Sequence, residues 1–293
     1  MGASKWIILV VCLSFVACSG NQESSKGEEE LEPEAIDGYT LVWHDEFNEG
    51  NKPDTSNWGY EHGFVRNNEL QWYQQDNATI EDGRLVIEGR RERVENSFYD
   101  STSDDWRRSR PYAGYTSSSI NTRGKQEFQF GLFKIQARID TAKGMWPAIW
   151  TLGTHPERGW PANGEIDVME FYRSEGEPVI LANAAWTDGN NQPVWDEGKV
   201  SFEHFLNQDP DWPEKFHVWK MDWTQDYIKL YLDDELINEI DLSKTENPDG
   251  FNPFHQPHYI LLNLAIGSNG GNPSDTQFPK RYEIDYVRIY QKE

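Results

Sequence analysis

The chain has 293 residues, enough for one or two domains, although a single all-β sandwich can use that whole length. Its net charge of −23 argues against a nucleic-acid partner, because phosphates require a basic footprint, and it disfavours an anionic substrate. The 13 Trp, 13 Tyr and 14 Phe residues suit β-strands and flat surfaces for sugar rings. The composition therefore favours one β-rich domain.

The N-terminus has the form of an export signal. Lys5 precedes an apolar run, residues 6–17, that is too short to span a bilayer as a helix but has the length of a signal-peptide core. Residues 15–18 (FVAC) resemble a bacterial lipobox, in which the cysteine is lipidated and becomes the first residue of the mature protein. We therefore predict a lipoprotein signal peptide over residues 1–17 and lipidation at Cys18. Ordinary cleavage near Cys18 with a soluble product is the alternative.

Residues 18–36 continue as an acidic segment with almost no apolar side chain. Such a segment cannot bury enough surface to offset the entropy of ordering, so we expect a disordered tether. An acidic stretch after a lipidated cysteine resembles surface-export signals of Bacteroidota-type lipoproteins. It predicts an exported bacterial lipoprotein on the outer membrane, facing the cell surface and touching the membrane only through the lipid on Cys18. Because the two cysteines are Cys12 and Cys18, residues 37–293 contain no disulfide.

Short alternating runs of β-branched and aromatic residues follow from Tyr39 onward, separated by turn signals such as Asp82-Gly83. They predict an all-β domain over residues 37–293, an antiparallel sandwich with a substrate cleft on its concave sheet. No long helical period or internal repeat is present. Two polar segments, residues 95–114 and 188–214, are predicted to be long loops that shape function. The clearest predicted strands cover residues 85–87, 130–137, 227–232, 259–264 and 286–290.

Three acids lie close together in the sequence GEIDVMEF. On a regular strand Glu165 and Asp167 share one face, whereas Glu170, five residues after Glu165, would point to the other face. A β-bulge at Val168-Met169 would return Glu170 to the shared face, and bulges are common beside active sites. We predict such a bulge.

Three close carboxyls repel one another, which separates the pKa values of neighbours. Retaining glycoside hydrolysis uses two carboxyls about 5–5.5 Å apart, one ionised as nucleophile and the other protonated as acid and then base. Glu165 and Glu170 across a bulge could fill these roles, with Asp167 between them to tune the nucleophile. The alternatives are a solvent-facing acidic strand and a calcium site, although adjacent strand positions seldom wrap a cation as a flexible loop does.

Several sequence blocks, in the correct order over residues 39–291, resemble glycoside hydrolase family 16. GEIDVMEF matches the bulged form of its Glu-x-Asp-x-x-Glu signature, and the other blocks are VWHDEF (42–47), NNELQWY (67–73), WPAIW (146–150) and YEIDYVRIY (282–290). The resemblance implies a concanavalin A-like β-jelly-roll with a long cleft. It also implies a retaining endo-acting enzyme without a catalytic cofactor, with Glu165 as nucleophile, Asp167 as its assistant and Glu170 as acid/base.

Within the family the blocks look most like the laminarinases, which hydrolyse β-1,3-glucan, so laminarin-type β-glucan is the expected substrate. Met169 argues against lichenases and xyloglucan-acting members, whose motif lacks this extra residue. Agarases, porphyranases and carrageenases share the bulged motif, so an algal galactan stays an alternative, as does mixed-linkage glucan. Phe171, where many laminarinases have His, and Ser119, where some have Arg, predict different contacts with the sugar.

Two other functions compete with hydrolysis. A glycan-binding lipoprotein on the same fold is possible because fold alone does not fix function, but a binding module has no reason to keep three costly, close carboxyls. Transglycosylation would use the same covalent intermediate and pass the sugar to another sugar. The intact acids favour catalysis.

Aromatic and polar residues near the motif are the candidate sugar ligands. Trp146, Trp150 and Trp160 flank the acidic strand, and their flat faces suit the apolar faces of sugar rings, although a tryptophan in a sandwich is more often core. Arg66 and Asn68 lie in a polar turn and could hydrogen-bond sugar hydroxyls. Asn68 could instead satisfy the backbone of that turn.

A structural calcium ion is implied by the resemblance. Similar enzymes hold calcium on the convex side, and the matching blocks here contain Glu46 and Asp285, with a carbonyl such as that of Gly83. Two ordinary surface acids are the alternative reading. The 7 His residues show no spacing typical of zinc. We expect a monomer that does not bind nucleic acid.

Overall fold

The strands follow the period-two pattern of the sequence. The computed structural model describes residues 1–2, 33–190 and 192–293. In Gly131–Arg138 and in His217–Trp223 every second side chain is buried. One face of each strand therefore packs on the core and the other meets solvent, as in a layered sandwich.

The described residues form two large sheets and two small two-stranded ribbons. Two short helices, α1 (Trp106–Ser109) and α2 (Phe202–Gln208), lie in the connections. The strands are β1 (Tyr39–Asp45), β2 (Gly59–Tyr60), β3 (Gln71–Tyr73), β4 (Ala78–Glu81), β5 (Arg84–Gly89), β6 (Val94–Glu95), β7 (Tyr112–Ala113), β8 (Tyr115–Ser117), β9 (Ser119–Asn121), β10 (Gly131–Arg138), β11 (Met145–Gly153), β12 (Glu165–Ser174), β13 (Glu177–Thr187), β14 (Pro193–Ser201), β15 (His217–Trp223), β16 (Tyr227–Leu232), β17 (Glu235–Asp241), β18 (His258–Ile266) and β19 (Lys280–Lys292).

The two large sheets are antiparallel and contain strands from distant parts of the chain. The first has eight strands, in the order β17-β16-β15-β10-β19-β5-β4, with β1 also paired to β19. The second has seven, in the order β14-β13-β12-β11-β18-β9-β2. Partners such as β11 and β18 are far apart in sequence, as jelly-roll connectivity requires. The predicted all-β jelly-roll sandwich is confirmed, and each of the five clearest predicted strands coincides with an observed one.

A single large apolar cluster fills the space between the sheets. Its fully buried members include Trp58, Phe133, Phe171, Trp219 and Trp223. Burial of one such side chain stabilises the folded state by about 1.5–3 kcal/mol. Since the domain contains no cysteine, this packing is the main source of its stability.

The bulge in β12 lies where the spacing of the acids predicts it. From Asp167 to Glu170 this strand advances three residues while its partner β13 advances two. Val168 and Met169, the residues between, are both buried in the core cluster. Glu165, Asp167 and Glu170 consequently share the face of the sheet that points away from the core.

One of the two loop predictions is wrong. Residues 95–114 do form a long connection, with only α1 and the short strands β6 and β7. Residues 188–214 instead contain β14 and α2. β14 is the edge strand of its sheet and leaves most side chains open to solvent, so its sequence, PVWDEGKVS, lacks an apolar alternation.

Residues Ala35–Glu293 form one compact unit. The described residues include only residues 1–2 of the predicted signal peptide and residues 33–36 of the predicted tether. Cys18 lies outside them. Lipidation and surface location therefore stay predictions. Among the described residues, no helix combines the length and apolar character needed to cross a membrane.

Replacing the core residue next to the acidic motif tests how strongly this packing holds β12. Phe171 is fully buried and packs edge-on against Phe202, with ring centroids 5.2 Å apart. We expect Phe171→Ala to lower the free energy of unfolding by about 3–5 kcal/mol, measured by urea denaturation. Tyr99→Ala, at a largely exposed ring, is the control and should change stability by about 0.5 kcal/mol or less. Equal effects of the two substitutions would contradict this account.

Candidate active site

A cleft of about 730 Å³ lies on the outer face of the seven-stranded sheet. Alternate residues of β11, β12, β13, β14 and β18 line it, because their neighbours in sequence point into the core. Further residues come from the segment 66–69 and from the 95–114 loop. The cleft thus crosses several strands of the sheet, as a site for a polymer chain requires.

The three predicted catalytic acids all line this cleft. Asp167 is 2% exposed, whereas Glu165 and Glu170 are partly open to the cleft. Burial raises the pKa of Glu165 to about 8, and the charge of Glu170 adds to this. Burial also raises the pKa of Glu170 to about 7, and burial with both glutamate charges raises that of Asp167 well above its usual range. The three carboxyls therefore release their protons at higher pH than isolated carboxyls do.

The fixed charges around the two glutamates differ. After burial and the charge of Glu170, the largest influence on Glu165 is the positive charge of Arg66, which lowers its pKa. Glu170 instead feels Glu69, which raises its pKa. The pKa of Glu165, about 8, is nevertheless higher than that of Glu170, about 7, which is opposite to the order that a nucleophile and an acid need. The assignment of Glu165 as the ionised nucleophile therefore rests on its cationic neighbour and its place in the motif. The buried Asp167 accepts a long hydrogen bond of 3.5 Å from the Asn183 amide.

Each glutamate accepts one hydrogen bond from the indole of a tryptophan that was predicted to contact the sugar. Trp146 Nε1 donates to Glu170 Oε1 at 2.9 Å, and Trp160 Nε1 donates to Glu165 Oε2 at 3.1 Å. The Trp160 ring is 48% exposed and lies 6.3 Å from that of Trp195 on β14. The two rings form an open aromatic wall beside Glu165, which suits stacking on sugar rings.

Trp150 and Arg66 form part of the cleft floor. Trp150 is 8% exposed, and its Nε1 donates to Asn263 Oδ1 at 2.6 Å. The Arg66 guanidinium lies over the Trp150 ring, 4.9 Å from its centroid, and forms an ion pair with Glu61. Because Arg66 covers this ring, Trp150 offers less open surface for a sugar than Trp160 does.

The structure corrects the prediction for Asn68. Asn67 and Glu69 line the cleft, and Asn68 is not among the described residues that do so. The carbonyl of Asn68 accepts a hydrogen bond from Arg110 Nη2 at 3.3 Å, while Asn67 Nδ2 donates to Glu69 Oε1 at 3.3 Å. Both asparagines have positive φ, 56° and 53°, and this left-handed turn decides which of them faces the cleft.

Phe171 and Ser119 were expected to alter contacts with the sugar, and for Phe171 this is wrong. Its ring is fully buried in the core on the opposite side of the sheet, so it cannot touch a substrate in the cleft. Ser119 is also buried, and its Oγ donates to Glu61 Oε2 at 2.6 Å. Since Glu61 pairs with Arg66, Ser119 acts on the cleft only through that arginine.

Several cleft residues have no signal in the local sequence. Trp195 on β14 aligns through Ala185 with Glu165, and Glu197 aligns through Asn183 with Asp167. Only knowledge of the strand pairing would identify them. The other cleft residues that the sequence analysis did not single out are Asn67, Glu69, Arg107, Ala148, Leu152, Tyr172, Asn183, Asn263 and Asn269.

The side chains proposed for calcium are engaged with arginines. Both oxygens of Glu46 accept hydrogen bonds from Arg288, at 2.9 and 2.7 Å, and Asp285 pairs with Arg84 at 3.2 Å. Gly83 lies in the turn between β4 and β5. In the described part of the chain, no three His, Cys, Asp or Glu side chains are grouped as metal ligands. As arranged, these side chains do not fit a calcium ion, and structural calcium stays a prediction.

A jelly-roll cleft with three acids on one bulged strand and two indole donors defines a glycoside hydrolase. The sequence model of the Glycosyl hydrolases family 16 matches residues 65–288, and the chain belongs to this family.

Known proteins that resemble the chain are named as enzymes that act on glycans. It is 33% identical over 281 residues to Glucan endo-1,3-beta-glucosidase A1 of Niallia circulans, a match that covers 88% of this chain and 39% of that protein. The laminarinase catalytic domain of Thermotoga maritima superposes with a TM-score of 0.71 at 31% identity, covering 87% of this chain and 99% of that one. A structure from work on endo-acting O-glycanases that initiate mucin breakdown, expressed by human gut microbiota, superposes with a TM-score of 0.80 at 35% identity, covering 88% and 93%.

The raised pKa of Glu165 predicts a pH-dependent loss of stability. A carboxyl whose pKa is raised on folding, here from 4.5 to about 8, contributes stability that is complete below the ordinary pKa and is lost as the pH rises through the raised one. Glu165→Gln, which mimics the protonated form, should match the wild type below pH 4.5. Above pH 8 the variant should be more stable by roughly 2–4 kcal/mol, a range reduced for the partial exposure of Glu165. Urea denaturation across this pH range measures the difference, and parallel pH curves would refute the prediction.

Proposed function

We propose that the protein is an endo-acting hydrolase that cleaves β-1,3-glucosidic linkages in laminarin-type β-glucan with retention of configuration. The observation that carries the proposal is the placement of three acids on the cleft face of one bulged strand, with a cation beside Glu165 and an acid beside Glu170. This is the charge asymmetry that a nucleophile and an acid/base need. The names of the Niallia circulans and Thermotoga maritima relatives support β-1,3-glucan as the substrate.

In the first step the Glu165 carboxylate attacks the anomeric carbon of the sugar. Glu170 donates its proton to the glycosidic oxygen as the carbon–oxygen bond breaks, and the leaving sugar departs with that proton. The product of this step is a glycosyl ester on Glu165. Arg66 favours the ionised form of Glu165 before attack, and the acid beside Glu170 keeps its proton available.

In the second step the now ionised Glu170 accepts a proton from a water molecule. That water attacks the anomeric carbon, and the bond to Glu165 breaks, which regenerates both carboxyls in their starting forms. Asp167, buried between them and with a raised pKa, serves as a neutral neighbour that can share a proton with Glu165. The indoles of Trp146 and Trp160 hold the two glutamates in position.

Substitution of the two glutamates separates their roles. We expect Glu165→Gln to abolish hydrolysis, because no covalent intermediate forms. We expect Glu170→Gln to lower kcat about 10²–10⁴-fold on polysaccharide but much less on an aryl glycoside whose leaving group needs no protonation, and azide should restore part of its activity. Glu177→Gln, at the exposed start of β13, is the control and should retain full activity. Similar losses on both substrates for Glu170→Gln would contradict the acid/base role.

A galactose-containing or mucin-type O-glycan is the second candidate substrate. The observation in its favour is the superposition on the O-glycanase-related structure, whose TM-score of 0.80 exceeds the 0.71 of the laminarinase domain. The same catalytic roles apply to either substrate, because the trio acts on the anomeric carbon and the glycosidic oxygen alone. The sugars accepted on either side are selected by the rest of the cleft.

Reducing-sugar release from a panel of glycans distinguishes the candidates. The panel contains laminarin, mixed-linkage glucan, agarose, porphyran, carrageenan and mucin O-glycans, with Glu165→Gln as the inactive control. We expect preferential release from laminarin that is lost in the variant. Activity confined to a galactan or to mucin O-glycans would keep the catalytic roles and overturn the β-1,3-glucan assignment. Binding without release from any glycan would indicate a glycan-binding protein instead.

A further inference from the structure

We propose that the loop of residues 96–110 forms a distal sugar-binding subsite that extends the cleft. There the exposed rings of Phe98 and Tyr99 stack on neutral sugar units of the same glycan chain, beyond the units held at the catalytic trio. The proposal rests on the proposed function, since it names where the remainder of a long substrate binds.

The loop borders a second recess that adjoins the catalytic cleft. This recess has a volume of about 520 Å³, and His62, Phe98 and Tyr99 are among the residues that line it. Arg107 lines both the recess and the cleft, so its side chain is the boundary that the two share. A glycan chain that leaves the cleft over Arg107 would therefore enter the recess.

Two large aromatic side chains of the loop are open to solvent. Phe98 is 56% exposed and Tyr99 is 48% exposed. Phe98 stacks on the buried Trp72 with ring centroids 6.1 Å apart and an interplanar angle of 25°, and His62 packs edge-on against both rings. A ring supported from below and open elsewhere is suited to contact with the apolar face of a sugar.

Hydrogen bonds within the loop fix the backbone that carries these rings. Asn96 is 5% exposed, and its Nδ2 donates to the carbonyls of Arg107 and Arg110 at 2.7 and 2.8 Å. Its Oδ1 accepts from the backbone N–H of Phe98 at 2.9 Å. The aromatic platform is therefore already in place, and less entropy is lost when a sugar binds.

The loop is also tied to the segment that carries cleft residues. Arg107 Nε donates to the carbonyl of Val65 at 2.9 Å, and Arg110 Nη1 donates to the carbonyl of Glu69 at 2.7 Å. Arg66 and Glu69 belong to this same segment and line the cleft. The platform consequently keeps a fixed distance from the catalytic acids.

The charges in the recess favour a neutral ligand. Arg107 pairs with Asp105 at 3.1 Å, and Arg108 pairs with Asp100 at 3.1 Å. Each guanidinium thus has a carboxylate partner, which leaves no net positive charge to select a sulfated or acidic sugar. The free N–H groups of the exposed Arg107 side chain remain able to donate to sugar hydroxyls.

Hydrolysis of oligosaccharides of increasing length tests the proposal. The substrates are the polysaccharide that the wild type cleaves fastest in the glycan panel and the oligosaccharides derived from it. For the double variant Phe98→Ala/Tyr99→Ala we expect kcat/KM on the polysaccharide to fall about tenfold through a higher KM. Its kcat should be unchanged, and the shortest cleaved oligosaccharide should be hydrolysed as by the wild type. A merely structural role of the rings would not produce this dependence on length.

Tyr112→Ala is the matched control. Tyr112 is 46% exposed in the same connection, but its ring contacts Arg93 and lines neither the recess nor the cleft. It should leave all kinetic constants unchanged. An equal loss on short and long substrates, or no loss on any, would overturn the proposal while the activity of the wild type upholds the proposed function. A wild type inactive on every glycan would overturn both.

Discussion

The three carboxyls face one cleft because β12 contains one more residue than β13 between Asp167 and Glu170. On a regular strand with this same spacing, Glu170 would point into the core, where an unpaired carboxylate costs several kcal/mol or more. The bulge turns Val168 and Met169 together into the core and sends Glu170 outward. Packing of the sandwich and alignment of the catalytic acids are thus two consequences of the same local irregularity.

Placing three acids side by side in a partly dry cleft lowers the stability of the fold at neutral and alkaline pH. The same raised pKa values keep a proton available for the proposed acid/base step. The surrounding groups then distinguish the two glutamates. Arg66, held by Glu61, which in turn accepts a hydrogen bond from Ser119, places positive charge near Glu165. This chain of contacts connects a buried serine on β9 to the surroundings of Glu165, the proposed nucleophile.

The strands of the sandwich and the connections between them contribute different residues to the cleft. The strands carry the acids and the indole donors, whose positions follow from the sheet. The 95–114 connection and the segment before β3 add side chains at one end of the cleft, and Trp195 and Glu197 of β14 add theirs at the other side of β12. Solved structures with different named activities superpose on this fold, so we assign the choice of glycan to these outer elements.

The sequence by itself determined the β-sandwich class, the five clearest strands and the bulged acidic strand, because each depends on the spacing of residues close together in the chain. Tertiary structure alone decided which of Asn67 and Asn68 faces the cleft, and that Phe171 lies in the core instead of beside the sugar. It also decided that a polar stretch becomes edge strand β14 and brings Trp195 level with Glu165. The physical reason is that strand order and register arise from pairing between distant segments, and a solvent-exposed edge strand needs no apolar alternation to mark it.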